Sequence, residues 1–155
     1  MDYSIKIGGE AGQGIQTIGD TLSKVFSRCG YNIFTHQDYM SRVRGGHNFY
    51  QIRVSDAEIS ASRAPIDILV ALDRESIALH AGELSNIGLV VYDSSSLKEK
   101  HELPQFFDVP LLDLAMKSGG DKIMVNTVAT GTVLGMLGFG TDVYLDILRD
   151  ALKKK

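Results

Sequence analysis

Apolar and polar positions alternate over residues 3–7 and then meet Gly8-Gly9, which predicts a strand running into a glycine-rich turn. Over residues 14–29 the spacing changes. Ile15, Ile18, Leu22, Val25 and Phe26 recur at helical intervals, and Gly30 follows as a stop, so an amphipathic helix is expected there. Residues 31–35 predict a second short strand and residues 37–46 a polar loop. Residues 48–55 alternate imperfectly, because Phe49 and Val54 fall on opposite parities, yet the stretch still reads as a strand. The run IDILVAL over 66–72 is almost unbroken in apolarity, which suits a strand covered on both faces. Residues 75–84 predict a short helix, and GLVVY at 88–92 another buried strand. Residues 94–110 hold several charges and two prolines and read as connection. Two helices close the chain, a small-residue one over 126–137 and an amphipathic one over 142–152, ahead of a solvated Lys153-Lys154-Lys155 tail.

Strands alternating with helices predict an α/β fold: a Rossmann-like, doubly wound, mostly parallel sheet with helices on both faces. The 155 residues fit one domain, 1–155, and a hydrophobic share of 44 % is ordinary for a globular chain. The net charge of -3 supplies no global field for nucleic acid or an anionic membrane. No apolar run approaches the roughly 18 residues of a membrane span. The N-terminus is too short and polar for a secretion signal, so a cytoplasmic location is expected. The one cysteine, Cys29, permits no internal disulfide and no cluster built on about four thiolates.

Two loops carry candidate chemistry. The first, Gly8-Gly9-Glu10-Ala11-Gly12-Gln13-Gly14, joins a strand to a helix. Glycine permits positive φ and close backbone approach, and the following helix points free N–H groups at the loop. A phosphate or carboxylate suits that place. So does a plain tight turn, since the spacing is neither G-x-G-x-x-G nor a Walker A loop. The second loop is Ser41-Arg42-Val43-Arg44-Gly45-Gly46-His47-Asn48. Its arginines offer rigid donor forks for anions. Alternatively they pair with Asp38 or Glu10, or face a partner subunit. If the first two strands are neighbours, Arg42 and Arg44 face the Gly12–Gly14 turn.

Taken in order, GGEAGQGI, SRVRGGHNFYQIRVS, DILVALD and VVYDSS resemble the gamma-type domain of 2-oxoacid:ferredoxin oxidoreductases, in the form fused ahead of the alpha subunit of 2-oxoglutarate enzymes. The resemblance runs over nearly the whole chain. It implies a non-catalytic part of a multi-subunit oxidoreductase, with coenzyme A as the acyl acceptor. Thiamine diphosphate and iron–sulfur clusters are then expected on partner chains, which pass electrons to ferredoxin. The coenzyme A-binding residues it implies are Gly12, Gln13, Gly14, Ser41, Arg42, Arg44, Gly45, Gly46 and Asn126, with no catalytic residue and no metal ligand. Family members continue past this point, which leaves open a domain shortened at its C-terminal side or a natural small subunit. Two rivals remain: the matching subunit of indolepyruvate:ferredoxin oxidoreductase, and a free-standing nucleotide-binding or regulatory module.

The other polar residues have simpler roles. Asp73 and Asp93 follow buried strands and read as helix caps. His47 reads as a residue that shapes its loop through hydrogen bonds. The four histidines show no metal-ligand spacing, the serine run 94–96 lacks a nucleophile context, and Cys29 is expected to be packed.

Overall fold

A computed structural model describes residues 1–39 and 46–153. Ser41, Arg42, Arg44 and Gly45 of the second loop lie outside the described residues, as do Lys154 and Lys155.

Six strands form one sheet in the order β2-β3-β1-β4-β5-β6. They are β1 (Asp2–Glu10), β2 (Asn32–Tyr39), β3 (His47–Ser55), β4 (Ile66–Ala71), β5 (Leu84–Tyr92) and β6 (Phe106–Asp108). β1, β4, β5 and β6 are parallel neighbours. β3 runs antiparallel to both β1 and β2. Five strands therefore point one way and β3 alone is reversed. The link from β2 to β3 is too short for the crossover of a dozen or more residues that a parallel pair demands. Hence β1 and β2 are not neighbours; β3 separates them.

The helices are α1 (Ile15–Arg28), α2 (Arg74–His80), α3 (Ser94–Leu97), α4 (Leu111–Lys117), α5 (Met124–Met136) and α6 (Asp142–Lys153). α1, α5 and α6 cover one face of the sheet, packing on Ile5, Ile7, Tyr50, Ile52, Val54, Ile68, Val70 and Val91. The opposite face buries Leu69, Ala71, Val90 and Tyr92 against Ile77 of α2 and Leu97 of α3. Successive residues of β4 thus enter opposite cores, which is why its sequence is apolar throughout.

β1 and β3 alternate for a different reason. Their polar positions are also covered. Ser4, Lys6, His47 and Gln51 are all buried. Gln51 Nε2 donates to Ser4 Oγ at 3.0 Å, and Lys6 Nζ lies 2.5 Å from Glu83 and 4.4 Å over the Phe49 ring. Phe49 thus belongs to this polar face, which accounts for the parity break in β3.

α1 stops as its glycine predicts. Gly30 sits at φ +86°, with Gly30 N–H donating to Ser27 O and Tyr31 N–H to Phe26 O. Cys29, expected to be packed, is instead exposed at this cap. Other elements differ from the sequence pattern at their edges. β1 continues through Gly8 and Gly9, and β2 runs on to Tyr39, because both are held by pairing with β3. The helix expected over 75–84 ends at His80, followed by one 3-10 turn, and β5 begins at Leu84. α3, β6 and α4 are short and lack a legible period.

Candidate functional site

β1, β4 and β5 end at the same edge of the sheet, and the loops that leave them form a crevice. The first loop is stapled by one side chain. Glu10 N–H donates to Gln13 Oε1 at 2.6 Å, Gln13 N–H donates to Glu10 O at 3.1 Å, and Gln13 Nε2 donates to Leu72 O at 3.2 Å. Both ends of the Gln13 amide are therefore engaged within the chain. Its role in shape is direct: it ties the end of β1 to the end of β4.

Two glycines do different work here. Gly12 is at φ +91° and its side-chain position opens into free space, so a ligand can meet the backbone. Gly14 is the N-cap of α1 at φ +82°, with no side-chain cap and no acid in the first turn. A Cβ there would fall 1.9 Å from Asn126 Nδ2. The Asn126 side chain, from the first turn of α5, is seated directly on Gly14. The free N–H groups of α1 remain available beside it, under the positive end of the helix dipole.

Gly12, Gln13 and Asn126 line one cleft of about 500 Å³. Ala71, Leu72, Asp93, Ser96, Leu97, Leu111 and Lys122 complete much of its wall. Lys122 makes no ion pair among the described residues. Gly46 lies in a neighbouring cleft of about 460 Å³ with Glu10, Gln13, Asp73, Arg74 and Glu75. Gly14 borders a third depression with Gln37, Asn48 and Tyr50. Glu10 pairs with His47 and Tyr39 with Asn48, so the chain enters and leaves the second loop at this same edge. The structure thus brings together Gly12, Gln13, Gly14, Gly46 and Asn126.

Asp73 and Asp93 cap helices, as their positions predicted. Asp73 Oδ1 accepts from Ser76 N–H at 2.8 Å and from Ser76 Oγ at 2.6 Å. Asp93 is buried, its Oδ1 accepting from Ser95 and Ser96 N–H and its Oδ2 from Leu112 N–H at 3.0 Å. Lys122 and Leu111–Leu112 were not legible as site residues; the charge ahead of α5 was the only available signal.

Behind the second cleft lies a buried polar cluster. His47 Nε2 and His80 Nε2 are 2.7 Å apart, and His80 Nδ1 lies 2.8 Å from Glu83 Oε1. Burial pushes the His80 ring below the ordinary histidine range, against the pull of Glu83 and with help from the Lys6 charge. Burial also raises Glu83, but hydrogen bonds from Lys6 and His80 outweigh that and leave it below the usual carboxylate range. His47 Nδ1 is buried with no hydrogen-bond partner.

A mostly parallel six-stranded sheet with helices on both faces, its loops meeting at the carboxyl edge, defines the class of doubly wound α/β domains. Within that class, the chain belongs to the pyruvate ferredoxin/flavodoxin oxidoreductase family, whose model matches residues 4–155. It is 31 % identical over 111 residues to subunit alpha of 2-oxoacid:ferredoxin oxidoreductase 2 from Aeropyrum pernix, covering 72 % of this chain and 17 % of that subunit. It is 26 % identical over 154 residues to the 2-oxoglutarate synthase subunit KorC of Archaeoglobus fulgidus, covering 99 % of this chain and 80 % of that one. Its fold matches 2-oxoglutarate:ferredoxin oxidoreductase from Magnetococcus marinus, solved with 2-oxoglutarate, coenzyme A and succinyl-CoA bound, with a TM-score of 0.88 and 23 % identity. That match covers 99 % of this chain and 27 % of the solved one. Among the described residues, no helix is long and apolar enough to cross a membrane.

Proposed function

We propose that this chain is a non-catalytic subunit or domain of a 2-oxoacid:ferredoxin oxidoreductase, and that its crevice holds part of coenzyme A while a partner's active site converts 2-oxoglutarate to succinyl-CoA. What carries the reading is the join at the carboxyl edge: the open side of Gly12, Gln13, Asn126 and Lys122 line one cleft, and the first turn of α1 borders an adjoining depression that Gly12 also lines. Phosphates of coenzyme A suit backbone N–H donors and a lysine in that setting. Arg42 and Arg44 enter through the family resemblance and through where their flanking residues lie. Thiamine diphosphate and iron–sulfur clusters belong to partner chains in this reading, since one exposed cysteine offers no cluster ligand set. Ferredoxin is the electron acceptor of the assembled enzyme. The choice of 2-oxoglutarate is supported by the KorC relative and by the ligands of the Magnetococcus marinus enzyme.

The test uses the assembled enzyme purified with its partner subunits. Arg42→Ala and Arg44→Ala each raise the KM for coenzyme A. Loss of a charge-assisted hydrogen bond costs about 1.5–3 kcal/mol, or roughly 10- to 150-fold. Unchanged coenzyme A kinetics in both variants overturn the binding role. A substrate panel that includes pyruvate and branched-chain 2-oxoacids tests the oxoacid, and faster turnover of one of those overturns 2-oxoglutarate.

A further inference from the structure

The geometry points to a divalent-cation site at the carboxyl edge of the sheet, built from His47 Nδ1, Asp73 and Glu75, where sequence spacing led us to expect no metal. Each residue offers one ligand atom, and the three atoms lie within 4.8 Å of one another. A point therefore exists no more than about 2.8 Å from all three (4.8 Å divided by √3). Coordination bonds to nitrogen and carboxylate oxygen are about 2.0–2.2 Å, so well under 1 Å of movement closes the site. Glu75 is exposed and supplies that movement freely.

The protonation pattern of the buried cluster supports a cation. Two groups face His80 Nδ1, the Lys6 ammonium at 3.4 Å and the Glu83 carboxylate at 2.8 Å; a carboxylate only accepts, so the shorter contact puts the His80 proton on Nδ1. The opposite tautomer would face a lone pair at a carboxylate. His80 Nε2 then accepts, and His47 Nε2 must donate across their 2.7 Å contact. His47 Nδ1 is left as a bare lone pair. It is buried and without a partner, and a ring nitrogen of His47 lies with the two carboxylates; Nε2 is committed to His80, which leaves Nδ1 for the ion. Asp73 Oδ1 is already engaged by Ser76, whereas His47 Nδ1 has no donor among the described residues. Capping α2 accounts for Asp73, and the α2 dipole favours Glu75, but neither accounts for His47.

Glu83, His80 and His47 form a chain of the kind that orients metal-bound imidazoles, a carboxylate fixing the ring behind the ligand. Gly8 makes room for it; a Cβ there would lie 3.2 Å from His47 Cε1. One nitrogen and two oxygens suit a first-row transition ion such as zinc or manganese. Three protein ligands leave at least one position for an oxygen ligand in the cleft lined by Gly46 and Arg74. The site stands whether or not the neighbouring cleft takes coenzyme A.

The experiment is a Co²⁺ titration of the full chain followed by visible absorption, with Zn²⁺ as competitor. One equivalent of Co²⁺ is expected to bind with a shifted d–d spectrum that Zn²⁺ abolishes. Glu75→Gln, on an exposed residue outside the core, is expected to weaken binding about 10-fold or more. His80→Gln, one shell further out, weakens it about 10- to 100-fold. A spectrum that stays that of the free aquo ion overturns the site. So does undiminished Co²⁺ binding by folded Glu75→Gln and His47→Gln variants, which places the ion elsewhere.

Discussion

Gly14→Ala tests the junction on which the crevice depends. Two separate costs arise at that position. The backbone sits at φ +82°, where a side chain costs roughly 1–2 kcal/mol. The new methyl would also lie 1.9 Å from Asn126 Nδ2, so the Asn126 side chain must leave its rotamer or move away. That displacement adds about 0.5–1.5 kcal/mol. The expected loss is about 1.5–3.5 kcal/mol, a fall of roughly 3–14 °C in Tm for a chain of this length. The two costs separate in a double variant. Gly14→Ala combined with Asn126→Ala removes the clash and keeps the backbone strain, so it recovers about 0.5–1.5 kcal/mol over Gly14→Ala. Urea unfolding of the four chains of this cycle, with equal m-values, supplies the measurement. A Gly14→Ala chain within about 0.5 kcal/mol of the parent would refute the reasoning. So would a double variant no more stable than the single one, since Asn126 would then not be what the methyl meets.

Two further outcomes are expected. Gly19→Ala in α1 places a Cβ 2.4 Å from the Tyr50 ring, so despite alanine's better helix propensity it destabilises by about 1–3 kcal/mol; a neutral or stabilising result in chemical unfolding contradicts the packing. Stability is expected to fall as pH drops from about 7.5 to 5. His80 titrates below its ordinary value of 6.5 in the folded chain, where Lys6, His47, Phe49 and Glu83 surround it, so the unfolded chain binds the proton first. This contribution is complete above 6.5 and lost on acidification through the folded pKa. Glu83, depressed from 4.5, adds a loss of the same sign at lower pH. Unfolding midpoints measured across that range would sink the assignment if they were flat, or if His80→Gln left the upper part of the curve unchanged.

The sequence by itself determined the elements whose burial is strongly periodic or complete. α1, α5 and α6, the strands around Ile5, Ile52, Leu69 and Val90, and the caps at Gly30, Asp73 and Asp93 all follow from local patterns. Local rules sufficed because a face in constant contact with one core imposes its period on the chain. The glycine loop and Asn126 were legible as candidates for the same reason: glycine at Gly12 and Gly14 marks backbone that other residues rarely adopt.

Tertiary structure alone decided what the polar positions of β1 and β3 do. Lys6, His47 and Gln51 are buried on the face opposite the main core, where Lys6 and His47 meet His80 and Gln51 meets Ser4 and Arg63. It also decided the reversal of β3, which places the ends of β1 and β2 on either side of one strand. Above all, it brought ligand atoms of His47, Asp73 and Glu75 within 4.8 Å of one another, and Asn126 against Gly14. Those contacts link residues far apart in the chain, through strand order and loop closure, and no local periodicity records them.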